Sequence, residues 1–279
     1  MKNKKSAWVR LIVSSVLALT FIGVLIVGLV GNSFPFSLNF SLFPGQHYAN
    51  SDRYTAGSGS ITADYLKKID IDWLDGSVTI STYEGNTIEI EETCESSLKQ
   101  SEQVHYYYHD GTLDIQYRES GFFFNFFPKN YNKELTIRIP ENLASQLDYI
   151  STDAVSADIN MKGLTTKELT SDTVSGGIAF YGFADEIEGD TVSGDFRYTF
   201  TSTPKEVEFD SVSGDITLTL PPDANFESEY DTVSGDFHCD FPTTNRGDTV
   251  VRNTDEQGAK KGDFEFDTVS GDVHILQNK

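Results

Sequence analysis

Asp172-Thr-Val-Ser-Gly-Gly-Ile178 recurs as Asp190-Thr-Val-Ser-Gly-Asp-Phe196, Asp210-Ser-Val-Ser-Gly-Asp-Ile216, Asp231-Thr-Val-Ser-Gly-Asp-Phe237 and Asp267-Thr-Val-Ser-Gly-Asp-Val273. A weaker copy, Asp153-Ala-Val-Ser-Ala-Asp-Ile159, precedes them. The copies start 19, 18, 20, 21 and 36 residues apart. Apolar residues alternate on both sides of each copy, as in Val207 and Phe209 before one and Ile216, Leu218 and Leu220 after it. Period two on either side of a Ser-Gly pair reads as strand, turn, strand. The Thr or Ser after the first Asp keeps the inward register, so that Asp points outward or into the turn. The Val that follows breaks the alternation and predicts a bend or bulge.

Units of about 20 residues with such uniform chemistry stack in parallel, like residue over like residue at about 4.8 Å. The fold class is therefore all-β, a β-solenoid of two-strand rungs in which no rung buries its apolar face alone. The regular repeats occupy 146–279, and the doubled last gap reads as a loop inserted at 243–262. Six copies give a stack of about 25–30 Å. Residues 61–145 carry less regular strands around Gly turns, such as Ile69, Ile71 and Trp73 before Asp75-Gly76. They read as the solenoid's N-terminal portion or as a β cap on it.

Ahead of these lies Leu11 to Val30, a run of 20 residues without a charge. At 1.5 Å per residue it spans about 30 Å, the hydrocarbon thickness of a bilayer. Lys2, Lys4, Lys5 and Arg10 precede it. This reads as a cytoplasmic basic tail (1–10), a single transmembrane helix (11–31) and an extracytoplasmic remainder. The rival is a cleaved signal peptide, but the apolar run is long for one and no A-x-A site follows. Residues 32–60 read as a tether, with Phe34, Phe36, Phe40 and Phe43 set either at the headgroup level or in the first strands.

The chain carries 21 Lys and Arg against 43 Asp and Glu, a formal charge of −22. Such a chain repels nucleic acid. Two cysteines, Cys94 and Cys239, are too few for a disulfide framework. Cys239 lies on an inward register and reads as a buried free thiol.

The order of these features resembles a bacterial family. An N-terminal membrane helix, irregular strands, a segment like Leu135-Thr-Ile-Arg-Ile-Pro140 and repeated Ser-Gly-Asp rungs are similar to the putative adhesin domain family of unknown function with β-strand repeats. The resemblance covers 61–279. It implies a membrane-anchored, cell-envelope protein, associated in Gram-positive relatives with envelope-stress operons, and it offers no catalytic residues. Ala157 in the first copy and Gly177 in the second depart from its pattern.

The repeat places candidate turn residues in columns: Asp172, Ser175 and Gly176; Asp190, Ser193, Gly194 and Asp195; Asp210, Ser213, Gly214 and Asp215; Asp231, Ser234, Gly235 and Asp236; Asp267, Ser270, Gly271 and Asp272. Stacked carboxylates repel. They are relieved either by turn amides or by a hard cation such as Ca²⁺. The repeated Ser is a turn residue, because a nucleophile needs one base placed once. His105 and His109 flank three tyrosines on a β-prone run and stand too far apart along a strand to share a metal. Arg246-Gly247-Asp248 spells an integrin-binding tripeptide in an ordinary polar loop. Phe122, Phe123, Phe124, Phe126 and Phe127 cannot all face one side of a strand. They either plug the solenoid's end or mark a partner or membrane contact. No catalytic, cofactor or metal residue is assigned.

The sequence therefore points to a non-enzymatic, single-pass membrane module of the cell envelope that displays an acidic face to a protein or envelope partner. The alternatives are an envelope-stress regulator of a neighbouring membrane protein and, last, a polysaccharide-processing enzyme, which needs a unique carboxylate pair.

Overall fold

The computed structural model of this chain describes residues 48–120, 131–246, 249–251 and 262–279. Its strands are β1 (Thr55–Ala56), β2 (Gly59–Ile61), β3 (Lys68–Tyr83), β4 (Ile88–Thr93), β5 (His105–His109), β6 (Thr112–Gln116), β7 (Glu134–Pro140), β8 (Leu147–Thr173) and β9 (Ile178–Thr191). They continue with β10 (Phe196–Phe200), β11 (Glu206–Ser211), β12 (Ile216–Leu220), β13 (Phe226–Thr232), β14 (Phe237–Cys239), β15 (Thr244–Arg246), β16 (Thr249–Val251), β17 (Gly262–Thr268) and β18 (Val273–Gln277). One helical turn, α1 (Glu141–Ala144), follows β7.

The expected solenoid is present. Each rung runs along one sheet, bends at the Val-Ser pair and returns along a second sheet. The two sheets face each other across a single core. Phe196 of one meets Phe209 of the other at 5.0 Å between ring centroids, and Tyr198 meets Phe209 at 5.1 Å. The alternation read from sequence sets this directly, since inward residues such as Ile178, Phe180, Ile216 and Leu218 are fully buried.

The stack holds eight rungs among the described residues, two more than the repeat count. β3 forms one, and β6 with β7 forms another, both in parallel register with the regular repeats. The region 61–145 is thus both solenoid and cap. β4 pairs antiparallel to β7, and β5 antiparallel to β6. β2 then lies on β4 and β1 on β5. Residues 48–60, read from sequence as tether, accordingly include strands of this cap. The run Leu11–Val30 and the segment Phe122–Phe127 lie outside the described residues. Among the described residues no helix is long and apolar enough to cross a membrane.

The rungs do not stack in chain order. β17 pairs with β11 on one side and β13 on the other, and β18 lies between β12 and β14. The last rung of the chain is therefore inserted beneath the one that precedes it. Burial explains the exchange. The last rung offers Phe264, Phe266, Val273 and Ile275, all fully buried. The rung before it puts Ser228 in a core position and leaves Tyr230, Phe237 and Cys239 half-buried. The more apolar rung takes the interior place, because each buried side chain contributes about 1.5–3 kcal/mol. The insertion at 243–262 is correspondingly more than a loop. Its β15–β16 hairpin runs antiparallel along β13 and covers that outer edge.

The same exchange occurs at the N-terminal end, where β3 lies between the β6–β7 rung and β8. Residues 117–133 replace the tight turn of the β6–β7 rung, and so long an excursion fits only at an end of the stack. Its base is held by a buried ion pair, Lys133 Nζ to Glu92 Oε1 at 2.9 Å. Asp75 accepts from Tyr117 Oη and, at 3.2 Å, from the Tyr131 amide.

The glycine of the repeat is fixed by the neighbouring rung. A Cβ on Gly214 would lie 1.8 Å from the Gly194 carbonyl oxygen, and one on Gly271 would lie 2.0 Å from that of Gly214. Gly214→Ala is expected to lower stability by about 1–3 kcal/mol, the cost of overpacking a rigid site. Ala157→Gly, at the one copy that tolerates a methyl, should cost under about 1 kcal/mol. Urea titration of both variants checks this; equal losses would contradict the close-approach account.

Candidate functional site

Every position of the Asp-Thr-Val-Ser-Gly-Asp repeat has a task at the turn. The Thr or Ser hydroxyl accepts from the Gly amide three residues on, at 2.7 Å for Thr191 and Gly194 and 2.8 Å for Ser211 and Gly214. The next Ser donates both its amide and its hydroxyl to the Val carbonyl of the neighbouring rung. Ser213 does so to Val192 at 3.0 and 3.2 Å, and Ser270 to Val212 at the same distances. Ser175, Ser193 and Ser234 repeat the pattern. These hydroxyls stitch rungs together, in agreement with the turn role expected for them.

The two aspartate columns differ. In the second, each carboxylate accepts an amide of the next rung: Asp195 from Asp215 at 3.1 Å, Asp215 from Asp272 at 3.0 Å and Asp272 from Asp236 at 2.8 Å. Turn amides relieve this column. Asp158 accepts the Gly177 amide in the same way, at 2.9 Å.

The first column runs in the order Asp72, Asp153, Asp172, Asp190, Asp210, Asp267, Asp231. Asp172 accepts the Asp190 amide at 3.2 Å. Burial, then Asp72 and Asp172, pushes Asp153 up to about 8. Burial raises Asp172 to about 6 against the opposing amide. Burial and then Asp172 take Asp190 to about 7, and burial and then Asp190 take Asp210 to about 7. The Asp190 side chain is nonetheless exposed. Water screens its repulsion, so the shift fixes a direction and a pH window rather than an energy.

This column belongs to a larger carboxylate lattice on the outer face of the first sheet. Glu168, Glu186, Glu206, Asp263 and Glu227 align in one row across the strands. Glu188, Glu208, Glu265 and Glu229 align in another. Strand geometry spaces these at about 4.8 Å across and 6.6 Å along the sheet. On the outer face of the second sheet Ala179, Arg197, Thr217, His274 and His238 form one row and Tyr181, Thr199, Thr219 and Leu276 another, with carboxylates at the margins: Glu89 and Glu91 on β4, Asp240, and the second aspartate column beside Arg197. Among the described residues the continuous carboxylate rows therefore lie on the first sheet.

Sequence reasoning missed the N-terminal start of the column. Asp70, Asp72 and Asp153 bring oxygens within 4.8 Å of one another, a donor set of the hard kind. The protein already compensates it: Lys68 Nζ lies 3.1 Å from Asp70 Oδ2, and Gln116 Nε2 donates to Asp72. The signal was available, since Asp72 follows Ile69 and Ile71 in the alternation that also places Asp153. His105 and His109 lie on β5, with His109 3.4 Å from Asp114. Cys94 and Cys239 are free thiols, both half-buried. Gly247 and Asp248 of the tripeptide lie outside the described residues.

The Toastrack DUF4097 pattern matches the chain twice, over 66–184 and 183–276. The chain belongs to the Toastrack DUF4097 family. The resemblance read from its sequence thus holds. Solved structures similar to this Toastrack chain include a putative cell adhesion protein from Clostridium sporogenes ATCC 15579. It is 14% identical, with 80% of this chain and 100% of that one covered and a TM-score of 0.48. Another is a putative adhesin from Bacteroides fragilis NCTC 9343, 12% identical, with 79% and 97% covered and a TM-score of 0.40. A third, a putative lipid binding protein from Parabacteroides distasonis ATCC 8503, is 12% identical, with 81% and 97% covered and a TM-score of 0.34. No curated protein matches the chain.

An acid whose folded pKa lies above its unfolded value, about 3.9 for Asp, keeps its proton in the folded chain where the unfolded chain has lost it. Stability then falls as pH rises through the window from about 4 to about 8, set by Asp172, Asp190, Asp210 and Asp153. Asp148 and Asp240, lowered by Lys167 and His238, act only below that window. The Tm should be higher at pH 6 than at pH 8.5; a flat or rising Tm would contradict the crowding. Asp153→Asn should raise Tm at pH 8.5 by about 2–4 °C, and by less at pH 5.

Proposed function

We propose that this Toastrack chain is a membrane-anchored, extracytoplasmic interaction module without enzymatic activity, and that the acidic face of its first sheet binds cationic partners. The single observation behind this reading is the concentration of carboxylates in two continuous rows and an aspartate column on the first sheet, against a second sheet whose carboxylates stand at its margins. An even distribution would serve solubility equally well with less repulsion. A repeated lattice supports binding of a basic peptide, a basic protein patch or a cationic envelope polymer by many weak, screened contacts. Leu11–Val30 supplies the anchor, with the N-terminus cytoplasmic.

A second reading, a regulator of a neighbouring membrane protein, has one feature in its favour. Ser120 and Tyr131, which flank the Phe122–Phe127 segment, are both clamped. Tyr48 Oη accepts the Ser120 amide at 3.1 Å, and Tyr131 Oη donates to Glu102 at 2.6 Å. Cross-linking on intact cells separates the readings: repeated links from the N-terminal end to one membrane protein favour the regulator.

The test of the first reading uses full-length protein in detergent micelles and immobilised polylysine. Capture should weaken with added salt. Glu188→Lys combined with Glu208→Lys should weaken it about tenfold or more. Capture that is absent, salt-independent or unchanged in the double variant would overturn the assignment to this face.

A further inference from the structure

The end of the stack where the described chain begins is rich in tyrosine. Nine of the 13 tyrosines fall within residues 48–131. Three of them form a chain of ring contacts: Tyr48 to Tyr54 at 4.5 Å and Tyr54 to Tyr107 at 5.5 Å, extended to His109 by a 4.7 Å stack on Tyr107. Tyr107 lies on β5, the antiparallel strand beyond the outermost parallel rung. Exposed Arg53 donates to Tyr107 Oη at 3.3 Å. Burial, then Asp114, raises the Tyr54 phenol far above its ordinary range, so the ring stays neutral. Tyrosine with a nearby arginine is the side-chain chemistry of a membrane–water interface, where the ring enters the headgroup layer and the polar tip stays wet.

The position of the chain's beginning identifies the occupant. Tyr48 is fixed in the cap, its hydroxyl donating to the Arg118 carbonyl at 3.3 Å and accepting from the Ser120 amide. Residues 31–47, 17 in number, separate it from the apolar run Leu11–Val30. The tyrosine edge is therefore the part of the fold held nearest to any bilayer that run enters. Tyr107 shares the first sheet's outer face with Asp114 and Asp70; the carboxylates along that sheet oppose lying flat on it against an anionic membrane, which confines contact to its terminal strand, where Arg53 sits on Tyr107.

We infer that the Tyr48–Tyr54–Tyr107 edge, with Arg53, docks on the lipid headgroup layer of the membrane in which the chain is itself anchored. This rests on the anchor reading of Leu11–Val30. The docked edge leaves the acidic sheet upright and open to partners.

The test is hydrogen exchange on the full chain in nanodiscs of phosphatidylethanolamine and phosphatidylglycerol, compared with detergent micelles. Amides of 48–56 and 105–109 should exchange about fivefold or more slowly in nanodiscs, and those of 226–239 should not change. Tyr54→Ser with Tyr107→Ser should abolish the difference, and Tyr54→Trp with Tyr107→Trp should restore it, which separates docking from loss of the cap's fold. Equal exchange in nanodiscs and micelles, or protection that survives the serine variants, would overturn docking. A chain that fails to float with nanodiscs would overturn the anchor as well, so the two failures are told apart. Protection that requires a second membrane protein in the disc would assign the edge to that protein instead of to lipid.

Discussion

The close approach of successive turns is the constraint on which this structure depends. The carbonyl of one turn glycine occupies the space where the next rung's Cβ would stand. In five turns a valine carbonyl takes two hydrogen bonds from the serine of its neighbour. This geometry fixes register to the residue and excludes slippage, which would expose every core side chain at once. The sheets, the core and the outward columns follow from it. A rung that satisfies the turn can also occupy any place in the stack. That freedom lets the last rung of the chain lie beneath the one before it, where its four apolar side chains are fully buried.

The same regularity creates the structure's main electrostatic cost. Residues that repeat in sequence repeat in space, so an outward carboxylate becomes a row of carboxylates. The protein relieves one aspartate column with backbone amides and leaves the other crowded. Retention of a crowded acidic face opposite one whose carboxylates stand at its margins is the feature that points to a binding role. The two ends are handled differently. The N-terminal end is broadly covered by antiparallel strands and a buried Lys133–Glu92 pair, whereas at the other end the hairpin covers β13.

The turn repeat was legible in sequence because period-two alternation and Ser-Gly pairs carry a direct geometric meaning. Strand direction, the inward Thr, the outward Asp and the bend at Val were all readable from Asp172 to Val273. Rung order was not, because near-identical rungs offer the same partners, and only the core content of Ser228 against Phe264 distinguishes inner from outer. The two N-terminal rungs lacked the repeat signature, since Asp75-Gly76 and the 117–133 excursion replace the Ser-Gly turn. The buried Lys133–Glu92 pair had no signal at all, as its partners lie 41 positions apart in an irregular region. The acidic sheet face was half legible. The Asp columns were visible from the repeat, but the glutamate rows became a lattice only once the register was known.

The central claim is that turn geometry, rather than chain order, sets the place of each rung. It is tested most directly by disulfide trapping in a chain with Cys94 and Cys239 replaced by serine. Thr217→Cys with His274→Cys joins residues that the stack pairs directly, within the 4.4–6.8 Å Cα range of a disulfide. Thr217→Cys with His238→Cys joins residues that would be paired only if the rungs followed chain order. The account predicts rapid oxidation of the first pair and none of the second. Oxidation of the second pair without the first would contradict it.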